Sequence, residues 1–183
     1  KAIRILGFQK EQIRIIPTDN EFKISINKLK NEIAKDKLQG KKPFCIIATA
    51  GTTNTGSVDP LDAIAQICEQ ENLWFHIDAA YGGAAILSEK GKIALKGIEK
   101  ADSLTVDPHK WFFQPYEIGC LLVKDKSWLS YTFSEKPEYL KDIEGNESEI
   151  SARADALETT ARELLQIVVI DLAADENAQE IFE

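Results

Sequence analysis

The chain predicts an α/β fold, a mostly parallel sheet with helical crossovers. Three observations carry this. Apolar runs of strand length recur: FCIIATA at residues 44–50, LWFHID at 73–78 and SLTVD at 103–107. A segment with helical character separates each run from the next. The first two runs show no apolar–polar alternation, as in strands covered on both faces, and strand–helix–strand repetition suits parallel pairing.

The start, KAIRILG, reads as the last turns of a helix capped by Gly7. Residues 13–16, stopped by Pro17, read as a short strand. Ser25 is a plausible N-cap for a helix carrying Ile26, Leu29, Ile33 and Ala34 at helical spacing up to Gly40. After the 44–50 strand comes the loop GTTNTGSVDP. Pro60 then opens a helix with Leu61, Ile64, Ala65 and Cys68 on one side. After the 73–78 strand, the small-residue stretch AAYGGAA leads into a charged helical segment at 88–100. The 103–107 strand follows, then GCLLV at 119–123. That last run is too close behind for a crossover helix, so it predicts an antiparallel strand. The expected boundary lies at 143. Residues 1–143 form part of one large domain, and 144–183 form a helical tail. In that tail Ile150, Ala154, Leu157, Ala161, Leu164, Val168 and Leu172 recur every three or four residues, a packing pattern without chemistry.

The 183 residues carry a net charge of -8, which disfavours nucleic acid or an anionic membrane as partner. No apolar run approaches the roughly 20 residues that span a bilayer. Cys45, Cys68 and Cys120 are widely spaced in apolar settings and read as buried free thiols of a reducing, cytoplasmic compartment. The chain has no methionine and opens inside an apparent helix, so a piece of a longer protein is expected.

In an open α/β sheet, ligands bind beyond the carboxyl ends of the strands. The three proposed parallel strands end in Gly51-Thr52-Thr53, in Asp78-Ala79-Ala80-Tyr81-Gly82-Gly83, and in Asp107-Pro108-His109-Lys110. Parallel pairing gathers hydroxyls, a carboxylate, an imidazole and an amine on one edge. Asp78 closes an apolar strand, where a carboxylate needs a partner, or else it caps the next helix. Small residues around it permit close approach of a flat ligand or another backbone. Lys110 is either a solvated loop lysine or, among Trp111, Phe112 and Phe113, a desolvated nucleophile for carbonyls. An amine opposite a carboxylate suggests pyridoxal phosphate, which is held by a lysine Schiff base with an acidic partner for its ring nitrogen. His76, two residues before Asp78, shares its face and either supports it or is a satisfied core histidine. Thr49, Thr52 and Thr53 divide between turn-forming and ligand-bonding roles. Tyr81 reads as packing.

TAGTTNTGSVDPL, WFHIDAAYGG and ADSLTVDPHKW, in this order and with Lys110 32 residues after Asp78, resemble the group II pyridoxal-phosphate-dependent amino-acid decarboxylases over residues 1–141. The resemblance implies part of a fold type I large domain in a homodimer, with pyridoxal 5'-phosphate as cofactor and an amino acid as substrate. It implies that Lys110 holds the cofactor as a Schiff base and Asp78 pairs with its ring nitrogen. Ala80 packs on the ring, His109 lies by the phosphate or the lysine linkage, and Thr53 lies near the ring hydroxyl and the substrate. Trp111 completes the HKW signature. The activity implied is a carboxy-lyase that converts an amino acid to an amine and CO2. The family's upstream phosphate-binding backbone and its downstream mobile loop find no match here. Two other readings stand beside this one: another fold type I activity, such as an aldehyde synthase or lyase, and a self-associating piece without activity of its own.

Overall fold

The computed structural model of the chain describes residues 2–133 and 167–170. Five strands form one sheet in sequential order: β1 (Cys45–Thr49), β2 (Trp74–Asp78), β3 (Ser103–Val106), β4 (Gly119–Val123) and β5 (Ile167–Ile170). β1, β2 and β3 are parallel, with Thr49 beside Asp78 and Asp78 beside Thr105. β4 is antiparallel to β3, as the short connection between them requires.

Helices α1 (Ala2–Ile5), α2 (Ile26–Leu38), α3 (Leu61–Glu71), α4 (Glu89–Ala94) and α5 (Lys126–Phe133) complete the fold. α1 ends as predicted: Gly7 takes φ +92°, and Phe8 and Gly7 donate N–H bonds back to Ile3 and Arg4. Ser25 is the N-cap of α2 by position, but its hydroxyl makes no capping bond. α3 crosses from β1 to β2. Pro60 is its N-cap and Leu61 its first residue. Its buried side chains Leu61, Ile64, Ala65, Ile67 and Cys68 meet Ile46, Ala48, Phe75, Ile77 and Leu104 in one apolar cluster. Leu29 and Ile33 of α2 join it.

Among the described residues the strands are not covered on both faces. Burial alternates along β1, and Ile47 on its outer face is 44% exposed. Trp74, His76 and Asp78 share that face of the sheet by alternation. α5 covers part of it, since Trp128 packs against Trp74 at 4.7 Å between ring centroids.

Three further expectations are corrected. Residues 13–16 are not a strand: Ile15 is almost wholly exposed, and the nearest pairing is an isolated bridge between Thr18 and Ile24. The segment 88–100 is not one helix. α4 is capped by the Ser88 hydroxyl, which accepts from Gly91 N–H, and the chain breaks at Gly97, with φ +96°. A Cβ there would lie 2.4 Å from the Asp62 nitrogen, so the crossover is pinned to the start of α3. At the far end, the helical spacing proposed for 150–172 fails at Ile167–Ile170, which is a strand paired parallel to β4. A continuous Ile-Val-Val-Ile run favours the extended chain. The remainder of that proposed helix, and the boundary at 143, lie outside the described residues.

Candidate active site

The carboxyl ends of β1, β2 and β3 lie side by side, and backbone hydrogen bonds continue past the strands to join their tips. Ala50 N–H donates to Asp78 O at 2.8 Å, Ala79 N–H to Thr105 O at 3.0 Å, and Asp107 N–H to Ala80 O at 3.3 Å. The loops after β1 and β2 press backbone on backbone. A Cβ on Gly82 would fall 2.4 Å from Ala50 O. Gly51 takes φ +88°, which glycine adopts without a Cβ penalty.

Asp78 is exposed at this edge rather than buried, which corrects the expectation of a desolvated carboxylate. The last residue of β2 has no strand residue beyond it to cover its side chain. Its Oδ1 accepts Ala80 N–H at 3.2 Å, shaping the turn that follows. A 3-10 turn (Gly83–Leu87) comes next, so Asp78 caps no α-helix.

His76 does not reach Asp78 by a hydrogen bond. Its Nδ1 lies 2.8 Å from Ser103 Oγ and its Nε2 3.3 Å from Thr105 Oγ1, so it is a satisfied histidine between two hydroxyls of β3. Burial pushes its pKa below the ordinary value, with the Asp78 charge opposing, which leaves the imidazole neutral at pH 7. Ser103 also accepts the Trp74 indole N–H at 2.9 Å.

Lys110 sits on a tight turn closed by its own N–H to Asp107 O at 3.0 Å. Its Nζ lies 2.7 Å from Asp107 Oδ2, with both side chains half-buried. Trp111 meets Tyr81 edge to face at 5.3 Å, which ties the loop after β3 to the loop after β2. Tyr81 is thus packing, as read. Phe113 does not line the edge; it is 90% exposed. His109 Nδ1 lies 2.7 Å from Ile118 O, which anchors the ring to the chain just before β4. The roles of the threonines separate. Thr52 Oγ1 bonds Thr55 Oγ1 at 2.6 Å and serves the turn, whereas Thr53 is exposed on the same loop.

Two further carboxylates shape this edge. Asp107 is the ion-pair partner of Lys110, and the three-residue spacing within one turn was the available signal. Asp59 is buried: its Oδ2 accepts Thr49 N–H at 2.8 Å and its Oδ1 accepts Ile24 N–H at 2.7 Å, which fixes the β1 tip.

The groups on this edge fit the cofactor that the resemblance implies. The edge carries an amine that suits an aldehyde and a carboxylate that suits a cationic ring nitrogen. Ala80, two residues past Asp78 and only half-buried, adds no more than a methyl group to this edge.

Comparison with known proteins agrees. Residues 1–159 match the pyridoxal-dependent decarboxylase conserved domain. An aromatic-L-amino-acid decarboxylase from Bacillus atrophaeus is 51% identical over 163 residues, covering 88% of this chain and 34% of the relative. The crystal structure of Catharanthus roseus tryptophan decarboxylase in complex with L-tryptophan superposes with TM-score 0.68 at 34% identity, covering 74% of this chain and 29% of that one. Rhodiola rosea 4-hydroxyphenylacetaldehyde synthase superposes with TM-score 0.57 at 35% identity, over 60% of this chain and 24% of that one. The chain therefore spans about a third of the length of the Bacillus relative. With its three motifs on one sheet edge and its fold that of part of a fold type I large domain, the chain belongs to the pyridoxal-dependent decarboxylase family.

Proposed function

We propose that the protein carrying this chain is a pyridoxal-phosphate-dependent carboxy-lyase that removes the α-carboxylate of an amino acid as CO2 and leaves an amine. The observation that carries the reading is the tie between the two tips: Asp107, beside Lys110, donates its N–H to Ala80, beside Asp78. An amine and a carboxylate are thereby held on one edge of the sheet. Pyridoxal phosphate, when bound, supplies an aldehyde for amines and a ring that accepts the electron pair released with CO2.

In this reading Lys110 binds the cofactor and yields its place to the substrate amine. The Asp78 carboxylate holds the proton on the ring nitrogen. Ala80 packs against the ring, with no side-chain bulk to displace it. His109, its Nδ1 anchored on Ile118, lies beside the phosphate or the lysine, and the Thr53 hydroxyl bonds the ring hydroxyl or the substrate. Lys110 is also suited to return a proton to the substrate Cα after CO2 has left. The Bacillus and Catharanthus relatives support an aromatic L-amino acid as the first substrate to test. The open sheet face, with Ile47 exposed, supports a second copy of the chain as partner. Three separate thiols, each held protonated by burial, support a reducing, cytoplasmic setting.

Borohydride reduction of the full-length gene product, loaded with cofactor, tests the assignment. Label is expected on Lys110; label on Lys124 or Lys126 overturns it. The likeness to an aldehyde synthase favours a second reading, in which the product is an aldehyde in place of the amine. Product analysis separates the two.

A further inference from the structure

We propose that Asp107 is the resting partner of the Lys110 amine: while Lys110 is bonded to no aldehyde, its ammonium is docked on the Asp107 carboxylate and withheld from attack. The functional meaning of this rests on Lys110 being the cofactor lysine; the ion pair itself does not.

The contact is direct, at 2.7 Å between Lys110 Nζ and Asp107 Oδ2. The turn prepares it. Lys110 N–H bonds Asp107 O at 3.0 Å, Phe113 N–H bonds Lys110 O at 3.2 Å and Gln114 N–H bonds Pro108 O at 3.2 Å. Pro108 fixes one backbone angle between the two partners. Less freedom is therefore lost on pairing than in an ordinary surface pair, whose strength is eroded by side-chain entropy. Both partners are also half-buried, at 32% and 21% side-chain exposure, so salt screens them less than an open pair.

The two carboxylates of the edge divide their tasks. Asp78 bonds Ala80 N–H, and Asp107 takes the lysine. An amine attacks a carbonyl through its lone pair, which the ammonium lacks. Each capture of an aldehyde by Lys110 must therefore first break the pair with Asp107. Release of Lys110 by a substrate amine lets the pair form again, which returns the lysine to a fixed position. Asp107 is thus a positioning residue.

Competitive acetylation tests this without cofactor. The cofactor-free, full-length gene product is treated at pH 7 with trace acetic anhydride. In that reaction the amine nitrogen bonds the acetyl carbon, acetate leaves, and the amine proton passes to buffer. Each lysine is quantified by mass spectrometry relative to Lys30, which is exposed on α2. Asp107→Asn is expected to raise Lys110 labelling about two- to fivefold, the range for loss of a partly exposed ion pair. Asp107→Glu keeps the charge and is expected to label as the native protein does. Unchanged Lys110 labelling in Asp107→Asn overturns the proposal. So does an equal rise in Asp107→Glu, which would trace the effect to the turn and not the charge. If Asp107→Asn raises labelling at every lysine, native protein in 1 M salt decides. Lys110 labelling relative to Lys30 then rises if the pair holds the amine, and a flat response overturns the proposal. A rise at Lys110 in Asp107→Asn, combined with borohydride label elsewhere in the loaded native protein, would leave the ion pair standing and remove the cofactor assignment alone.

Discussion

Gly51 and Gly82 are in backbone contact across the tips of β1 and β2, with a Cβ on Gly51 placed 2.7 Å from the Gly82 Cα. Gly82 itself has φ -91° and ψ -7°, which any residue adopts, so its glycine is required by space and not by backbone conformation. Gly82→Ala is expected to cost about 1–3 kcal/mol, the range for overpacking a tight site. A lowered urea midpoint at unchanged slope is the measurement.

Asp78→Asn separates a structural from a chemical role. The amide oxygen can still accept Ala80 N–H, so the turn survives. Charge beside the ring is lost, and turnover in the full-length gene product is expected to fall on the order of a hundredfold or more. CO2 release and the urea midpoint are measured together. Near-normal turnover would reduce Asp78 to a turn former.

Asp59 is satisfied by two backbone N–H groups from segments far apart in sequence, Ile24 and Thr49. An asparagine there has one acceptor oxygen and turns its NH2 toward a second donor. Asp59→Asn is expected to cost about 1–3 kcal/mol, the cost of leaving a buried polar group unpaired. Denaturant titration of the variant against the native protein measures it.

The Cys68 thiol is pushed up from 9.0 to about 12, first by burial and then by the charge of Asp102. The unfolded chain releases this proton near pH 9 and the folded chain near 12. Between those values the unfolded state binds fewer protons, so stability contributed by the neutral thiol is intact below pH 9 and lost as pH rises toward 12. Unfolding free energy is expected to fall more steeply with pH over that window in the native protein than in Cys68→Ala. Urea titrations at pH 8, 9 and 10 test this.

Much of this architecture was legible because it depends on local pattern. The LWFHID and SLTVD runs became neighbouring parallel strands, and the short gap before GCLLV correctly implied a reversed strand. Parallel pairing then forced Asp78 and Asp107 to the same edge. What was not legible depends on contacts that sequence spacing does not encode. Residues 13–16 have the composition of a strand, yet Ile15 is exposed to solvent and has no partner strand among the described residues. The charged crossover after β2 looked helical throughout, but Gly97 packs on α3 and breaks it. Asp59 serves a backbone group 35 residues away at Ile24, and only the folded chain brings the two together. Covering of both sheet faces was inferred from apolar runs, whereas the outer face of β1 carries an exposed Ile47.

The bonds that join the strand tips have a consequence for motion. Ala50, Ala79 and Asp107 donate their amides to carbonyls of the neighbouring strand or loop, although they sit at a rim where loops usually fluctuate freely. Exchange of these three amides with deuterium therefore requires the rim to open as one cooperative unit. They should exchange at similar, slow rates, well behind Asn54 in the adjoining loop. The carboxylate arm and the lysine arm then move together, and thermal fluctuation shifts the pair without altering the separation between them.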